Sequence, residues 1–349
     1  MTADFSTRCP LPDAGAADAI SLAHGEGGRL MRDLLAGDVL PLFDNDFLSR
    51  QGDAARLPPL AGPPVFTTDS FVVSPRVFPG GDIGSLAVHG TVNDLAVAGA
   101  RPCWLSCSLI IEEGFPFAEL RSILASAANA AQAADISIVT GDTKVVPRGA
   151  VDGLFINTAG LGELIFPMPG PSGLTVGDEL LVSGPLGRHG MAVLAARESL
   201  PFDPPLESDS ASLFPAVEAL RLAGVPVKTL RDATRGGGAA VLHEWADACN
   251  FSLAVEDSAV PVTDGVRGAC ELLGLDPLHV ACEGTMVIAV PPGAADAALA
   301  ALHSVPVAAG AARIGEVIPR EMAPVVVRRA LKRLVPLDEP LGAPLPRIC

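Results

Sequence analysis

The stretch TTDSFVVSPRVFPGGDIGSLAVHGTVNDLAVAGARP, residues 67–102, decides how this chain folds. It begins inside VFTTD (65–69), whose β-branched and aromatic content reads as a strand. PGGD at 79–82 breaks the chain, and IGSLAVHGTVNDLAVA at 83–98 reads as a helix. Beyond it, CWLSCSLII (103–111) is a second strand. Residues 117–134 form a helix with Leu120, Ile123, Leu124, Ala127 and Ala131 on one face. ISIVT (136–140) is a strand running into GDTK, and VDGLFINTAG (151–160) returns as another. Strands and long helices are thus interleaved from the start.

A break falls at 166–177, where FPMPGPSGLTVG concentrates Pro and Gly. Past it, 179–183 reads as a strand, 189–197 and 211–222 as helices, and RDATRGGG (231–238) opens a helix to about 249. Strands near 251–255 and 285–290 and helices near 266–273 and 293–303 follow. The fold class is α+β in two domains, 1–168 and 169–334. A basic helix, RRALKRL (328–334), closes the second, and a tail covers 335–349. Four prolines in that tail favour an extended, solvated chain. From Pro336 to Cys349 it could reach roughly 40 Å.

Composition narrows the function. The 349 residues are 49% apolar and 18% charged, enough for a sizeable core and too apolar for general disorder. A net charge of -16 excludes a broadly basic nucleic-acid surface. The N-terminus lacks the features of a secretion signal, and no apolar stretch is long enough to span a membrane. A cytoplasmic protein with reduced thiols is expected. Lysine is scarce: Lys144, Lys228 and Lys332 are the only three, so Lys144 inside a polar motif stands out. Of seven cysteines, Cys349 is the final residue of the chain.

The chemistry-bearing pattern is a series of acid-plus-glycine junctions: TTDS (Asp69), GGD (Asp82), NDLAVAG (Asp94), GDTK (Asp142, Lys144) and RDATRGGG (Asp232). Carboxylates beside glycines suit a magnesium–polyphosphate site. The metal takes oxygen ligands, and glycine lets backbone N–H groups approach phosphates. Gly90, one turn before Asp94, is read as leaving room for a ligand. HGEGG (24–28) is a loop able to face an anion. Each Asp alone could be a turn former or a helix cap. No Walker sequence and no post-strand GxGxxG occurs. Lys144 could hold phosphate or act as a base. Glu283, in ACEGTMVIAV, is a partly buried carboxylate fit for proton abstraction. His24 and His89 are possible ligand contacts. Cys349, on a proline-stiffened arm, suits carriage of a covalent group, with Arg347 two residues away to favour thiolate and the adjacent α-carboxylate to oppose it; on these residues alone an incidental terminal cysteine is the better reading.

AHGEGG, the 67–102 stretch, GDTKVV (141–146), GLFINTAG (153–160), ATRGGG (233–238), CEGT (282–285) and the terminal PRIC together resemble the HypE family, carbamoyl dehydratases of [NiFe]-hydrogenase maturation. That family is similar in fold to aminoimidazole ribonucleotide (AIR) synthetase, PurM, and to thiamine-monophosphate kinase. The resemblance implies a two-domain PurM-like fold with an extended C-terminal tail, ATP and Mg²⁺ bound by the N-terminal domain, and a homodimer. It implies that a HypF-type carbamoyltransferase loads a carboxamide onto Cys349. ATP-driven dehydration then yields an S-cyanide that passes to a HypC–HypD complex. By the same resemblance Lys144 and Glu283 handle protons, and Asp69, Asp94 and Asp232 hold metal. His24, Gly25, Gly27, Gly28, Asp82, Asn93, Gly141, Asp142 and Thr143 border the nucleotide. Ala233 departs from the DPTRGG-type motif usual in the family. Two other readings share the junctions: a kinase or synthetase acting on a diffusible molecule, which has no use for PRIC, and a non-catalytic carrier whose tail is a docking peptide.

Overall fold

The computed structural model describes residues 18–329, 333–342, 345 and 347–349. The first half contains α1 (Arg29–Leu34), β1 (Pro64–Phe71), the short β2 (Val77–Phe78) and β3 (Gly81–Asp82), and α2 (Ile83–Val97). β4 (Ala100–Glu112), α3 (Phe117–Ala133), β5 (Ser137–Val146) and β6 (Leu154–Leu164) follow. Its four-stranded sheet runs β1-β6-β4-β5, with β4 and β5 parallel and the other pairs antiparallel.

The second half holds β7 (Glu179–Val182), α4 (Arg188–Arg197), α5 (Phe214–Leu222), β8 (Thr229–Asp232), α6 (Gly237–Cys249) and β9 (Ser252–Glu256). It continues with α7 (Asp264–Leu273), β10 (Met286–Val290), α8 (Ala295–His303), β11 (Ala312–Ile318), β12 (Val325–Arg329) and β13 (Arg333–Pro336). Seven strands pair in the order β13-β12-β9-β11-β7-β10-β8. Among the described residues, no helix is long and apolar enough to cross a membrane.

Helix α2 explains the layout. Asp82 caps it, its Oδ1 accepting from the backbone N–H groups of Gly84 (2.8 Å) and Ser85 (2.9 Å). A helix apolar around its whole circumference must be covered on every side. α2 packs on β1, β6 and α3, and also on α5 and β8 of the second half. Its last turn, Ala96 and Val97, joins the core of α5 and α8. One helix is therefore interior to both halves.

Three expectations change here. The described residues of 328–334 are not helical: Arg328–Arg329 and Arg333–Leu334 lie in the paired strands β12 and β13, and residues 330–332 fall outside the described residues. The tail is not solvated throughout. Leu345 and Ile348 are buried, and the backbone N–H groups of Val72 and Ser74 donate to the carbonyls of Cys349 (3.1 Å) and Arg347 (3.2 Å). Apolar side chains at 345 and 348 outweigh the extended bias of the prolines. Gly90 leaves no room for a ligand, because a Cβ there would stand 2.9 Å from the Phe71 ring. Gly90→Ala is expected to lower stability by about 1–3 kcal/mol, read from the urea midpoint, with part recovered on adding Phe71→Leu.

Candidate functional site

The sequence-derived residues fall into two groups. The first lines a cleft between the halves. Strand alternation directs Thr67, Asp69 and Phe71 of β1 to the helix-covered face, where Thr67 Oγ1 donates to Asp94 Oδ2 at 2.7 Å. Asp69 Oδ1 accepts from Ser70 N at 2.8 Å. Asp232 ends β8, paired with Met286 of β10, and Glu283 lies just ahead of that strand. Asp232 is 6% and Glu283 2% exposed, and Glu283 Oε1 has no hydrogen-bond partner.

The electrostatics of the cleft follow from that burial. Loss of solvent raises the Asp94 carboxyl, with Asp69 adding to the rise and Thr67, Arg231 and Arg235 opposing it. Burial, then Asp94 and Asp69, push Asp232 up to about 7 despite Arg231. Glu283 is lifted well above the ordinary carboxylate range by burial, then by Asp232, Asp209, Asp69 and Asp94. The Cys349 thiol is pushed up to about 12 by burial and then by Glu283, with Arg235 working the other way. The expected helper, Arg347, is engaged elsewhere: it donates to Val72 O (3.0 Å) and Asp152 Oδ2 (2.8 Å). The docked Cys349 seat therefore disfavours a thiolate and suits a neutral sulfur substituent.

The second group sits at the β5 edge. A Cβ on Gly25 would lie 2.6 Å from Val145 N, which seats the HGEGG loop against β5. Asp142 Oδ1 accepts from Thr143 N (2.9 Å), and its Oδ2 lies 3.5 Å from Lys144 Nζ. A cavity of about 420 Å³ adjoins this edge. It is lined by Leu35, Val39, Phe43, Leu109 and Ile138, with Arg32 and Asp142 among its polar neighbours. Its size and apolar lining suit a base-and-sugar-sized ligand.

Several expected roles are corrected by this placement. Asp142 and Lys144 are embedded in β5 rather than at a strand end, and they occupy the sheet face opposite Asp69. The register runs Lys144–Ile110–Phe155 across three strands, so Lys144 is not beside Glu283 within one chain. Asn93 is spent on structure: its amide donates to the carbonyls of Ala211 and Glu283, both at 3.0 Å, and its Oδ1 accepts from Leu213 N at 2.7 Å. Asp82 is a helix cap. His24 accepts from Ser21 N (3.0 Å) through Nδ1. His89, bonded to Ser210 Oγ at 3.0 Å, is lowered to about 4 by burial.

Asp209 and Arg235 were not singled out from the sequence. Asp209 accepts from Glu283 N and Gly284 N, both at 3.1 Å, and from Thr285 Oγ1 at 2.8 Å, fixing the CEGT turn. Gly284 is required there, since a Cβ would meet Asp209 O at 1.8 Å. Arg235 lay in the quoted ATRGGG without an assigned role; Asp209 sits in a Pro/Ser-rich loop with no glycine to mark it.

For magnesium, the donor set fits in kind. Asp69, Asp94 and Asp232 offer hard oxygens that repel one another. Among the described residues no three acidic, His or Cys side chains close into a metal-holding cluster. A magnesium ion held by these carboxylates would need further oxygen donors beside them.

Similarity to known proteins extends over both halves of the chain. Residues 52–164 match the profile of the AIR synthase related protein N-terminal domain, and 175–327 that of its C-terminal domain. The chain is 51% identical over 338 residues to carbamoyl dehydratase HypE of Escherichia coli K12, covering 95% of this chain and 99% of that protein. A crystal structure of HypE in complex with ATP superposes with a TM-score of 0.88 at 46% identity, covering 94% of this chain and 99% of the other. A HypE–HypF complex gives 0.77 at 41% identity, covering 90% and 100%.

A buried, unpartnered acid should cost the fold stability. Below the ordinary Glu value of 4.5 the carboxyl is protonated in both states. As pH rises, the unfolded chain ionises first and stability is lost up to the raised folded value. Glu283→Gln is thus expected to raise the melting temperature of the nucleotide-free protein at pH 8 and to leave it unchanged near pH 4.

Proposed function

The chain belongs to the HypE family of carbamoyl dehydratases, and from that membership we propose how its residues divide the work. It is an ATP-dependent enzyme of hydrogenase maturation that dehydrates an S-carbamoyl group on Cys349 to an S-cyanide. The amide oxygen is phosphorylated by ATP, which makes it a good leaving group. Loss of phosphate and of both nitrogen-bound protons leaves the nitrile on sulfur. The observation that carries the assignment of residues is Glu283: a buried carboxylate with a free Oε1, and the charge that acts most strongly on docked Cys349.

We assign proton removal to Glu283. A proton acceptor poised above the usual carboxylate range is matched to a weakly acidic N–H. The cleft also excludes water from the activated amide. Asp69, Asp94 and Asp232 would hold magnesium, which supplies charge neutralisation and orientation for the polyphosphate. HGEGG, Gly141, Asp142 and Thr143 would border the nucleotide, whose base and sugar fit the 420 Å³ cavity. Lys144, whose Nζ lies 3.5 Å from Asp142 Oδ2, is assigned with Asp142 to the nucleotide rather than to the proton. Loading of Cys349 by a HypF-type carbamoyltransferase requires a thiolate, so it belongs to an undocked tail. Delivery of cyanide is to a HypC–HypD complex, in the cytoplasm. The division into 1–168, 169–334 and a carrier tail from 335 is part of this reading.

A second copy is the proposed cover for the outer face of the four-stranded sheet. Phe66, 69% exposed, lies in register with Leu161 and Trp104 on that face. Phe66→Glu is expected to turn a dimer into a monomer by light scattering; an unchanged mass, or a monomeric unsubstituted protein, contradicts this.

Steady-state phosphate release on the carbamoylated chain separates the roles. Glu283→Gln is expected to lower kcat by about 10²-fold or more with KM for ATP unchanged. Lys144→Ala is expected to raise KM for ATP. A Lys144→Ala defect confined to kcat would return Lys144 to proton handling.

A further inference from the structure

Three imidazoles of the second half grip the C-terminal segment by its backbone carbonyls. His243 Nε2 lies 3.0 Å from Leu337 O, His279 Nε2 2.9 Å from Asp338 O, and His189 Nε2 2.8 Å from Ile348 O. The third differs in place and burial. Its ring is fully buried, edge-on to Phe78 at 5.3 Å, and its partner is the carbonyl of the peptide that joins Ile348 to Cys349.

The hydrogen-bond directions are determined by the acceptor. A carbonyl only accepts, so Nε2 carries the proton and Nδ1 accepts from Ser208 Oγ at 2.8 Å. Ser208 Oγ in turn accepts from Ser210 N at 3.0 Å, and Ser208 N donates to Pro79 O at 2.9 Å. On the opposite side of the tail, Val72 N and Ser74 N take the carbonyls of Cys349 and Arg347, and Arg197 also donates to Arg347 O at 2.8 Å. The Ile348 carbonyl points the other way, and His189 is its partner. Next to Ser208, Asp209 binds the backbone of Glu283 and Gly284. One three-residue segment, 208–210, thereby contacts both the turn that carries Glu283 and the histidine that holds the terminus.

We propose that His189, backed by Ser208, is a positioning residue for the dehydration: it holds the Ile348 carbonyl so that the group on Cys349 stays seated against Glu283. This rests on Cys349 being the carrier. His189 touches no reacting atom. Its contribution is to register, because without it the Ile348 carbonyl is buried with no donor and the terminus is released from its seat.

The test uses the full-length protein, its nucleotide-free form and iodoacetamide, with Cys349 modification followed by the mass of the C-terminal peptide. Loss of one buried hydrogen bond predicts about tenfold faster alkylation of Cys349 in His189→Ala. Dehydration of the carbamoylated protein should slow by a similar factor, with KM for ATP unchanged. His189→Gln, whose amide can donate where Nε2 does and accept from Ser208, should restore both. Ser208→Ala leaves the ring in place and should move both readouts in the same direction as His189→Ala. Wild-type alkylation rates in both alanine variants, or a Gln variant as impaired as Ala, overturn the proposal. If His189→Ala does not fold, Ser208→Ala decides by the same criterion. Failure of the wild-type carbamoylated protein to dehydrate with ATP would overturn the carrier reading instead, while the alkylation rates still decide whether His189 holds the seat.

Discussion

Burial of α2 between the two halves is the constraint on which the rest depends. A helix apolar on every side needs both sheets and their helices around it, so it closes the cleft between them. Asn93, on this helix, then bonds the carbonyls of Glu283 and Ala211 and the N–H of Leu213. The position of the acid relative to the first sheet is thereby fixed by side-chain bonds from the structural core, not from a surface loop. Tying the turn that carries Glu283 to a buried helix gives it rigidity and a dry environment.

The cost is a concentration of like charge. Burial raises Glu283 and Asp232, and the neighbouring acids add to it: Asp232, Asp209, Asp69 and Asp94 act on Glu283, and Asp94 and Asp69 on Asp232. A fold selected for stability alone would not keep these groups together. Loss of solvent, and then the same field, raises the thiol of docked Cys349. The seat is therefore built for a neutral carbamoyl sulfur, and reactivity toward an incoming carbamoyl belongs to a tail outside it. The docked tail and the raised thiol are two sides of one arrangement.

Much of the first half was legible in the sequence because its signals are local. The apolar run 83–97, the break at PGGD and the amphipathic 117–133 each specify an element without long-range help. The carboxylates of the cleft were also legible as types beside glycine. Their grouping was not, since Asp142 and Asp69 carry the same local signature yet fall on opposite sheet faces, a matter of register. Asn93 and Asp82 read as site residues because a polar side chain beside a motif looks alike whether it meets ligand or backbone. β8, β11, β12 and β13 gave no distinct signal: β8 and β13 span four residues each, β11 is interrupted by Arg313, Gly315 and Glu316, and β12 continues in RRALKRL, whose composition favours a helix. Asp209 and His189 act through contacts with residues more than 70 positions away, and Ser208 acts through His189 on helix α4, so no spacing within their own segments could reveal them.

The central claim is that Cys349 is both carrier and substrate. The most direct measurement is the mass of the C-terminal peptide after loading by a HypF-type carbamoyltransferase with carbamoyl phosphate, before and after addition of ATP and Mg²⁺. The account predicts a carbamoyl adduct on Cys349 that loses the mass of one water molecule only when ATP is present, and that keeps it in Glu283→Gln. An adduct that ATP leaves unchanged in the unsubstituted protein, or ATP turnover with the terminal peptide never modified, would contradict it.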